Sequence, residues 1–285
     1  MHPINLTSLA DAAFLQRFLR LVAEFVSARS TASHRAGLDD LRTAIVNRLL
    51  RMGFSVQVLG DKPVVPVVVA VRHGTPNTKT LGLFAHYDVE EAGDGWTTDP
   101  FVATLQDQRL YGRGTGDNLG PLALRILALE ELLLSSNDRL PTLVWVIQGE
   151  EEVASPWAHA LFPTLELPAV DLWLEETGYF EEDRTQRILA RRMPSHFDRV
   201  LDAVSSLARA DTRDVRVLDR YLNKAFGEAR CPCLTHLLKD APYLAIGPND
   251  TRTRIHAPNE SLPLDTIGLS RAQFVATLQE VAQCA

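Results

Sequence analysis

The sequence predicts an α/β fold, with helices on both faces of a single mixed sheet. Strand-like runs of aliphatic and β-branched residues alternate along the chain with segments whose apolar residues recur at helical spacing. Hydrophobic residues make up 46% and charged residues 23% of the 285 positions, a composition typical of globular proteins. Because we find neither an internal repeat nor a low-complexity linker, a single domain over residues 1–285 is the simplest organisation.

The first half of the chain predicts two helices and then a series of strands. Apolar residues recur at helical spacing over residues 15–25 and 41–50, and Gly53 follows the second segment as a stop signal. The turn-forming residues 74–77 separate two of the strand-like runs that come next. These runs cover residues 55–59, 64–71 and 80–85.

The second half keeps the alternation of helix and strand. Pro121 opens a predicted helix that extends to residue 134, and Ser155 is a candidate N-cap for a short helix that extends to about residue 161. Residues 181 to about 230 are charged and are predicted to be helical, without a strong strand. The remaining predicted elements are strands at 142–148, 169–174 and 243–246 and a closing helix at about 264–282.

Charge and composition exclude several classes of protein. The 29 Lys and Arg residues against 36 Asp and Glu give a net charge of −7, whereas nucleic acids and anionic membranes bind to a basic face. No run of eighteen apolar residues is present, so no membrane span is expected, and residues 14–22 predict an amphipathic helix rather than a signal peptide. Three cysteines do not make a paired disulfide framework, which favours a reducing compartment and a cytoplasmic protein.

His86 and Asp88 follow a predicted strand, at the kind of sheet edge where ligands bind in open α/β folds. Because the two residues are two positions apart, their side chains point the same way along an extended chain. Asp88 is therefore expected to accept a hydrogen bond from His86 and to orient it as a metal ligand. Taken alone, the segment also fits a hydrogen-bonded histidine that binds no metal.

Asp117 lies in a glycine-lined turn just before the helix predicted to begin at Pro121. The preceding residues 112–116 have a glycine spacing that differs from that of a dinucleotide-binding loop, and no lysine follows as in a phosphate-binding P-loop. What remains is a lone carboxylate in a turn that a ligand can approach closely.

Three further polar clusters follow apolar runs. Three consecutive glutamates, 150–152, come after the strand predicted at 142–148, where a cation or a shared proton relieves their mutual repulsion. Glu175 and Glu176 end another apolar run, and His256 lies in a polar segment near the C-terminal end. Together with His86 and Asp117, these clusters supply the nitrogen and oxygen ligands suited to zinc or a similar divalent ion.

Four of these motifs, in this order, resemble those of the M20 family of metallopeptidases. The resemblance covers about residues 81–176 and resumes at about residue 245. It includes the family's first metal motif, the turn that ends in a bridging aspartate, the glutamate motif and the terminal histidine motif. The matching segments are residues 86–88 with 96–101, then 112–117, 149–156 and 255–260.

The resemblance implies two divalent metal ions, with zinc the expected metal. It implies that His86, Asp117 and one acid of the 175–176 pair hold one ion. Asp117, as the bridging residue, would hold the other ion with Glu152 and His256.

The resemblance also implies roles for the neighbouring acids. Asp88 would orient His86. The small pair Ala154-Ser155 sets the register of the glutamates, which makes Glu151 the general base and leaves Glu150 spare. Glu176 is preferred over Glu175 as a ligand, because Glu176-Thr177-Gly178 is similar to the acid-Thr-Gly sequence of the family.

The implied activity is hydrolysis of an amide or peptide bond in a small peptide or an N-acyl or aminoacyl compound. Two metals would hold a hydroxide and polarise the carbonyl, while Glu151 would transfer the proton to the leaving amine. The alternatives are a biosynthetic deacylase that removes a protecting group and, outside catalysis, a metal-binding relative without activity.

One departure from the family concerns its lid. This dimerisation domain is inserted between the motif that corresponds to Glu175 and Glu176 and the motif that corresponds to His256. Only 80 positions separate Glu176 from His256, so a zinc-peptidase-like catalytic domain without a lid is expected, with the segment 181–230 in its place. The protein is then expected to be a monomer, or a dimer unlike that of the family, with an open active site. A lidless domain also resembles the M28 aminopeptidases, and His236 is a candidate substitute for the lid's oxyanion-binding histidine.

Overall fold

The computed structural model describes residues 12–135, 139–175, 178–219, 234–238 and 241–284. Among these residues no helix is long and apolar enough to cross a membrane. The described helices are α1 (Ala12–Ser27), α2 (Arg35–Arg51), α3 (Leu119–Ser135), α4 (Pro156–Leu161), α5 (Asp198–Ala210), α6 (Leu234–Leu238) and α7 (Ile267–Gln283).

The described strands form a large mixed sheet and a small antiparallel one. The large sheet has the order β1-β2-β6-β3-β7-β11-β9-β8-β12, with β10 paired to β9, and the small sheet has the order β13-β5-β4. The strands are β1 (Ser55–Leu59), β2 (Val67–Arg72), β3 (Thr80–His86), β4 (Thr104–Gln106), β5 (Arg109–Tyr111), β6 (Thr142–Gln148), β7 (Leu172–Glu175), β8 (Tyr179–Phe180), β9 (Gln186–Arg191), β10 (Val215–Leu218), β11 (Tyr243–Ala245), β12 (Asn249–Asp250) and β13 (Ser261–Pro263).

The central strands are buried on both faces, which explains their nearly continuous apolar sequences. In β6, Leu143, Trp145 and Ile147 belong to the core that includes residues of α1, α2, α3 and α7. The intervening Val144 and Val146 belong to a second core, which includes residues of α4 and α6. Because successive side chains of a strand point to opposite faces, one strand supplies both cores. The predicted α/β architecture with helices on both faces is confirmed.

Gly82 in β3 provides space for a large side chain of the neighbouring strand. A Cβ atom at position 82 would lie 2.5 Å from Cε3 of Trp173 in β7. Trp173 is one of the largest fully buried side chains of the second core. Only glycine therefore allows the indole to lie this close to β3.

Four neighbouring strands bring their carboxyl ends to one edge of the sheet. β3 runs parallel to both β6 and β7, and β7 runs parallel to β11. His86 ends β3 directly opposite Gln148 at the end of β6, and Glu175 ends β7. This edge carries the polar residues that the sequence predicts to be functional.

Several element boundaries agree with the sequence, and one cap does not. β1 and β6 have the predicted bounds, and α3 begins two residues before Pro121. The expectation that Ser155 caps α4 is wrong, because Ser155 has a left-handed backbone and its side chain makes no capping hydrogen bond. Glu150 takes this role instead, since its Oε2 accepts a hydrogen bond from the N–H of Trp157 at 3.1 Å.

The helical prediction for residues 181–230 is only partly correct. α5 lies within this segment, but β9 and β10 flank α5, and both belong to the large sheet. The charged residues of β9 conceal its strand character: Arg187 pairs with Glu181, while Ile188 and Leu189 are buried. Every described strand between residues 178 and 250 belongs to the same sheet as the motif-bearing strands. Residues 220–230 lie outside the described residues.

The small sheet brings two motifs together that are far apart in the sequence. β13 pairs with β5, so that Ser261 lies opposite Tyr111. The loop that contains His256 immediately precedes β13, and the glycine-lined turn that contains Asp117 follows β5. These strands have three residues each, which is too short for a periodic pattern in the sequence.

Candidate metal centre

His86 is held at the end of β3, with its two ring nitrogens facing different acids. Nε2 lies 2.9 Å from Oδ1 of Asp117. Nδ1 lies 3.1 Å from the main-chain oxygen of Asp88 and 3.4 Å from its carboxylate Oδ1. Asp88 Oδ2 also accepts a hydrogen bond from the N–H of Glu152 at 2.9 Å. Asp88 therefore contacts two of the predicted ligands, and not His86 alone.

Asp117 lies between the two histidines of the predicted centre. Its Oδ1 faces His86 at 2.9 Å, and its Oδ2 faces Nε2 of His256 at 3.3 Å. Each carboxylate oxygen is thus directed to a different imidazole, which is the arrangement required of a residue shared between two ions.

A buried ion pair shapes the turn that carries Asp117. Nη1 of Arg113 lies 2.8 Å from Oε2 of Glu260, and the two side chains are 1% and 0% exposed. The carboxylate of Glu260 also accepts hydrogen bonds from the N–H groups of Gly114, Gly116 and Asp117, at 2.8–3.0 Å. Neither residue has a role that the sequence predicts, although both lie within the matching motifs.

The three consecutive glutamates point in different directions. Glu150 accepts hydrogen bonds from the N–H groups of Val65 and Trp157, both at 3.1 Å. Glu152 lies with Oε2 only 2.7 Å from Nε2 of His256, and its side chain is 3% exposed. Glu151 begins the short 3-10 helix Glu151–Val153 and interacts electrostatically with His86 and Asp117. Glu150 is therefore a structural residue, while Glu152 faces His256 and Glu151 lies close enough to His86 and Asp117 to interact with them electrostatically.

His256 lies in a loop with an unusual concentration of left-handed backbone. Arg254, His256 and Asn259 have φ angles of 59°, 60° and 61°. Such conformations are costly for residues with side chains and cluster at functional sites. Asn259 stabilises the loop, because its Oδ1 accepts hydrogen bonds from both the N–H and the hydroxyl of Thr97, at 2.8 and 2.9 Å.

Glu175 is buried, and its Oε2 accepts a hydrogen bond from the hydroxyl of Tyr243 at 2.7 Å. Tyr243 belongs to β11, the strand next to β7, so the two residues link neighbouring strands. The preferred ligand of this pair, Glu176, lies outside the described residues.

His236 does not lie among the predicted ligands. It is exposed on α6, and its ring lies 5.8 Å from that of His159 in an edge-on arrangement. It borders a recess of about 550 Å³ whose wall includes Phe162 and Trp173 and none of the predicted metal ligands among the described residues. This position does not support a role for His236 at the metal centre.

The centre concentrates more negative charge than its two histidines balance. Burial raises the pKa of Glu152, and repulsion from Asp117 raises it further. Burial also raises the pKa of Glu151. Burial opposes ionisation of Asp117, but hydrogen bonds from His256 and His86 dominate and lower its pKa. The pKa of His256 rises to about 11, mainly because it is hydrogen-bonded to Asp117 and Glu152.

The residues of this centre fit a divalent metal ion. Ligand atoms of His86, Asp117 and Glu152 all lie within 4.8 Å of one another. Both carboxylate oxygens of Glu152 are buried: Oε2 faces Nε2 of His256 at 2.7 Å, and Oε1 has no hydrogen-bond donor among the described residues. A buried carboxylate without such a donor is costly unless a cation compensates it. The donor set of imidazoles and carboxylates is typical of zinc and similar ions.

The fold and the centre together define an α/β domain of the metallopeptidase type. The family model for peptidase family M20/M25/M40 matches residues 82–280, which is more than half of the chain. The chain therefore belongs to this family.

Two curated relatives are similar over part of the chain. Human Beta-Ala-His dipeptidase is 39% identical over 95 residues, which cover 33% of this chain and 19% of the dipeptidase. Succinyl-diaminopimelate desuccinylase of Variovorax paradoxus is 32% identical over 145 residues, covering 48% of this chain and 36% of that enzyme. The matched region thus spans about a fifth to a third of these relatives.

The fold is also found in a solved structure. The di-peptidase Dug1p from Saccharomyces cerevisiae superposes with a TM-score of 0.76 at 14% identity, covering 98% of this chain and 99% of that chain. At this level of identity the similarity supports the fold alone.

Proposed function

We propose that this protein is a hydrolase with two divalent metal ions that cleaves an amide or peptide bond in a small peptide or an N-acyl or aminoacyl compound. The observation that supports this proposal best is the position of Asp117, with one oxygen towards His86 and the other towards His256. Membership of a peptidase family and similarity to a dipeptidase and a desuccinylase agree with this reaction class.

In the proposed centre, His86, Asp117 and Glu176 hold one ion, and Asp117, Glu152 and His256 hold the other. When bound, a pair of such ions lowers the pKa of water and polarises the scissile carbonyl. Asp88 keeps His86 oriented through Nδ1 and holds the main chain of Glu152 through a 2.9 Å hydrogen bond. These contacts fix the ligand geometry before substrate arrives.

Glu151 is the proposed general base. Its carboxylate accepts no hydrogen bond from a described residue, whereas the carboxylate of Glu150 accepts hydrogen bonds from two backbone N–H groups. Burial raises the pKa of Glu151, as suits a carboxylate that takes up a proton from water and delivers it to the leaving amine. The water oxygen bonds to the carbonyl carbon, and the C–N bond of the amide breaks as the amine receives that proton, so that a carboxylate and an amine are released.

A polar recess lined in part by the loop that contains His256 is the proposed binding site for the far end of the substrate. The recess has a volume of about 530 Å³, and its lining includes Arg252, Arg254, Tyr111 and Thr97. Arg252 and Arg254 are exposed and form no ion pair with a described residue. We propose that they bind a carboxylate of the substrate, a role that the family gives to its lid.

The test combines metal analysis with a substrate panel. The purified protein is depleted of metal, reloaded with Zn²⁺ or Mn²⁺, and assayed on dipeptides, tripeptides, N-acetyl and N-succinyl amino acids and aminoacyl-nitroanilides. We expect two ions per chain and metal-dependent release of an amine. Two bound ions without turnover of any compound would favour the non-catalytic alternative, and turnover of N-acyl compounds alone would favour a deacylase.

A further inference from the structure

Glu90 is a carboxylate beside the metal centre that none of the assigned roles uses. It follows His86 and Asp88 at the same spacing of two residues. The main chain here is fixed by a parallel bridge between Val89 and Thr31 and by a 3.0 Å hydrogen bond from the N–H of Val89 to Ser30. In extended backbone this alternation directs residues 86, 88 and 90 to one side.

The neighbouring acid, Glu91, points elsewhere. Its Oε1 accepts a hydrogen bond from the N–H of Ser33 at 3.0 Å, in the segment between α1 and α2. Hydrogen bonds with Ser33 outweigh the effect of burial and lower the pKa of Glu91. The two consecutive glutamates therefore have different environments, and only Glu90 faces the centre.

Glu90 lies within reach of an ion held by Glu152 and His256. Ligand atoms of these three residues all lie within 4.8 Å of one another. Glu90 is partly buried and makes no hydrogen bond or ion pair with a described residue. An independent observation is that Glu152 is almost fully buried while its Oε1 has no hydrogen-bond donor among the described residues. Two carboxylates and an imidazole that converge in this way supply the ligand types that zinc and similar ions use.

We propose that Glu90 is a ligand of the metal ion held by Glu152 and His256. The inference rests on the proposed function, because that ion is the second of the two proposed above. With Glu90, this ion has carboxylate ligands from Glu90, Asp117 and Glu152 and one imidazole. The other ion has two carboxylate ligands, from Asp117 and Glu176, and one imidazole ligand, from His86. Oxygen-rich sites suit harder ions such as Mn²⁺, so the two positions differ in metal preference.

The experiment measures metal affinity and not only activity. Metal-free protein is titrated with Mn²⁺ and separately with Zn²⁺ by calorimetry, and bound Mn²⁺ is followed by electron paramagnetic resonance. The variants are Glu90→Gln and, as the matched control, Glu91→Gln. Thermal melting of the metal-free proteins verifies that both variants fold like the wild type.

We expect Glu90→Gln to weaken one of two binding events at least about tenfold, with a larger effect for Mn²⁺ than for Zn²⁺. The other binding event and the Glu91→Gln variant should be unchanged. Unchanged affinity of both ions in Glu90→Gln would overturn the inference while leaving the proposed function intact. The same holds if Glu90→Gln only raises KM for substrates with a free amino group, because Glu90 would then bind the substrate ammonium. A wild type that binds fewer than two ions would instead contradict the proposed function.

Discussion

Arg113 and Glu260 form an ion pair of 2.8 Å with almost no exposure to solvent, and they are 147 positions apart in the sequence. Through Glu260, the pair connects the loop of His256 to the turn of Asp117, because the same carboxylate accepts three backbone hydrogen bonds from that turn. The positions of Asp117 and His256 therefore both depend on this one buried ion pair.

Replacing Glu260 with Gln should destabilise the protein and disturb the centre. Gln leaves the buried Arg113 without a countercharge and places an NH₂ group where backbone N–H groups already point. Breaking a buried pair in this way costs about 3–5 kcal/mol. Urea unfolding of the metal-free protein measures this cost, and metal content measures the effect on Asp117. As a control, Asp39→Asn removes a partly exposed ion pair with Arg42 and should cost less than about 1 kcal/mol. A cost below that value for Glu260→Gln would contradict the prediction.

Replacing Glu151 with Gln should abolish turnover while two ions stay bound, because the change removes proton transfer and no ligand. Asp117→Ala should instead lose metal, since Asp117 is the proposed shared ligand. Metal analysis of both variants, together with kcat on the best substrate of the panel, separates the two effects. If Glu151→Gln kept full activity, the assignment of the base would be wrong, and Glu150 would be the next residue to test.

Within the pair Glu175 and Glu176, only one residue should bind metal, because neighbours along a strand point to opposite faces. The hydrogen bond between Glu175 and Tyr243 favours Glu176 as the ligand. Glu176→Ala should lose one ion, whereas Glu175→Gln should keep both and lower stability to a similar extent as Tyr243→Phe. Loss of metal in Glu175→Gln alone would reverse the assignment.

Replacing Gly82 with Ala should destabilise the sheet, because the new methyl group would lie 2.5 Å from the Trp173 ring. Inserting one methyl group into a tightly packed core typically costs about 1–3 kcal/mol. Urea unfolding of Gly82→Ala, Trp173→Leu and the double variant forms a double-mutant cycle. The double variant should be more stable than the sum of the single effects predicts, and strict additivity would show that the two positions do not clash.

Replacing Arg254 with Ala should raise KM for substrates with a free carboxylate at least several-fold, with little effect on kcat or metal content. The expected cause is the loss of a positive charge from the polar recess that Arg254 lines. The amidated form of the same peptide is the control, and it should bind the wild type and the variant equally well. Equal loss for both peptides would mean that the arginine acts on the loop and not on the carboxylate.

The described strands between residues 178 and 250 all belong to the main sheet, and the absence of a lid stays a prediction from the spacing of Glu176 and His256. We therefore expect a monomer, or a dimer that does not depend on a lid, and tripeptides or larger amides cleaved better than acetyl amino acids. Light scattering during size-exclusion chromatography measures the first property, and relative kcat/KM across the panel measures the second. A crystal structure with a separate lid domain between Glu176 and His256 would contradict the first expectation, and a preference for acetyl amino acids would contradict the second.

The sequence alone determined the α/β class, the central strands and the predicted ligand motifs. β3 and β6 are continuous apolar runs that end in polar residues, and this local pattern predicts buried parallel strands with a site at their carboxyl ends. Motif spacing is also a local property, so the segments of His86, Asp117, Glu152 and His256 were recognisable without coordinates.

Only the tertiary structure decided how these segments meet. The strands β5 and β13 are too short to predict, yet their pairing brings the loop of His256 to the turn of Asp117. β9 was missed because its charged residues conceal a buried apolar core, and its strand conformation depends on pairing with β11. The ion pair between Arg113 and Glu260 is likewise visible only in the tertiary structure. Each side chain is an ordinary charged residue in its own segment, and only burial against a partner distant in sequence makes the contact decisive.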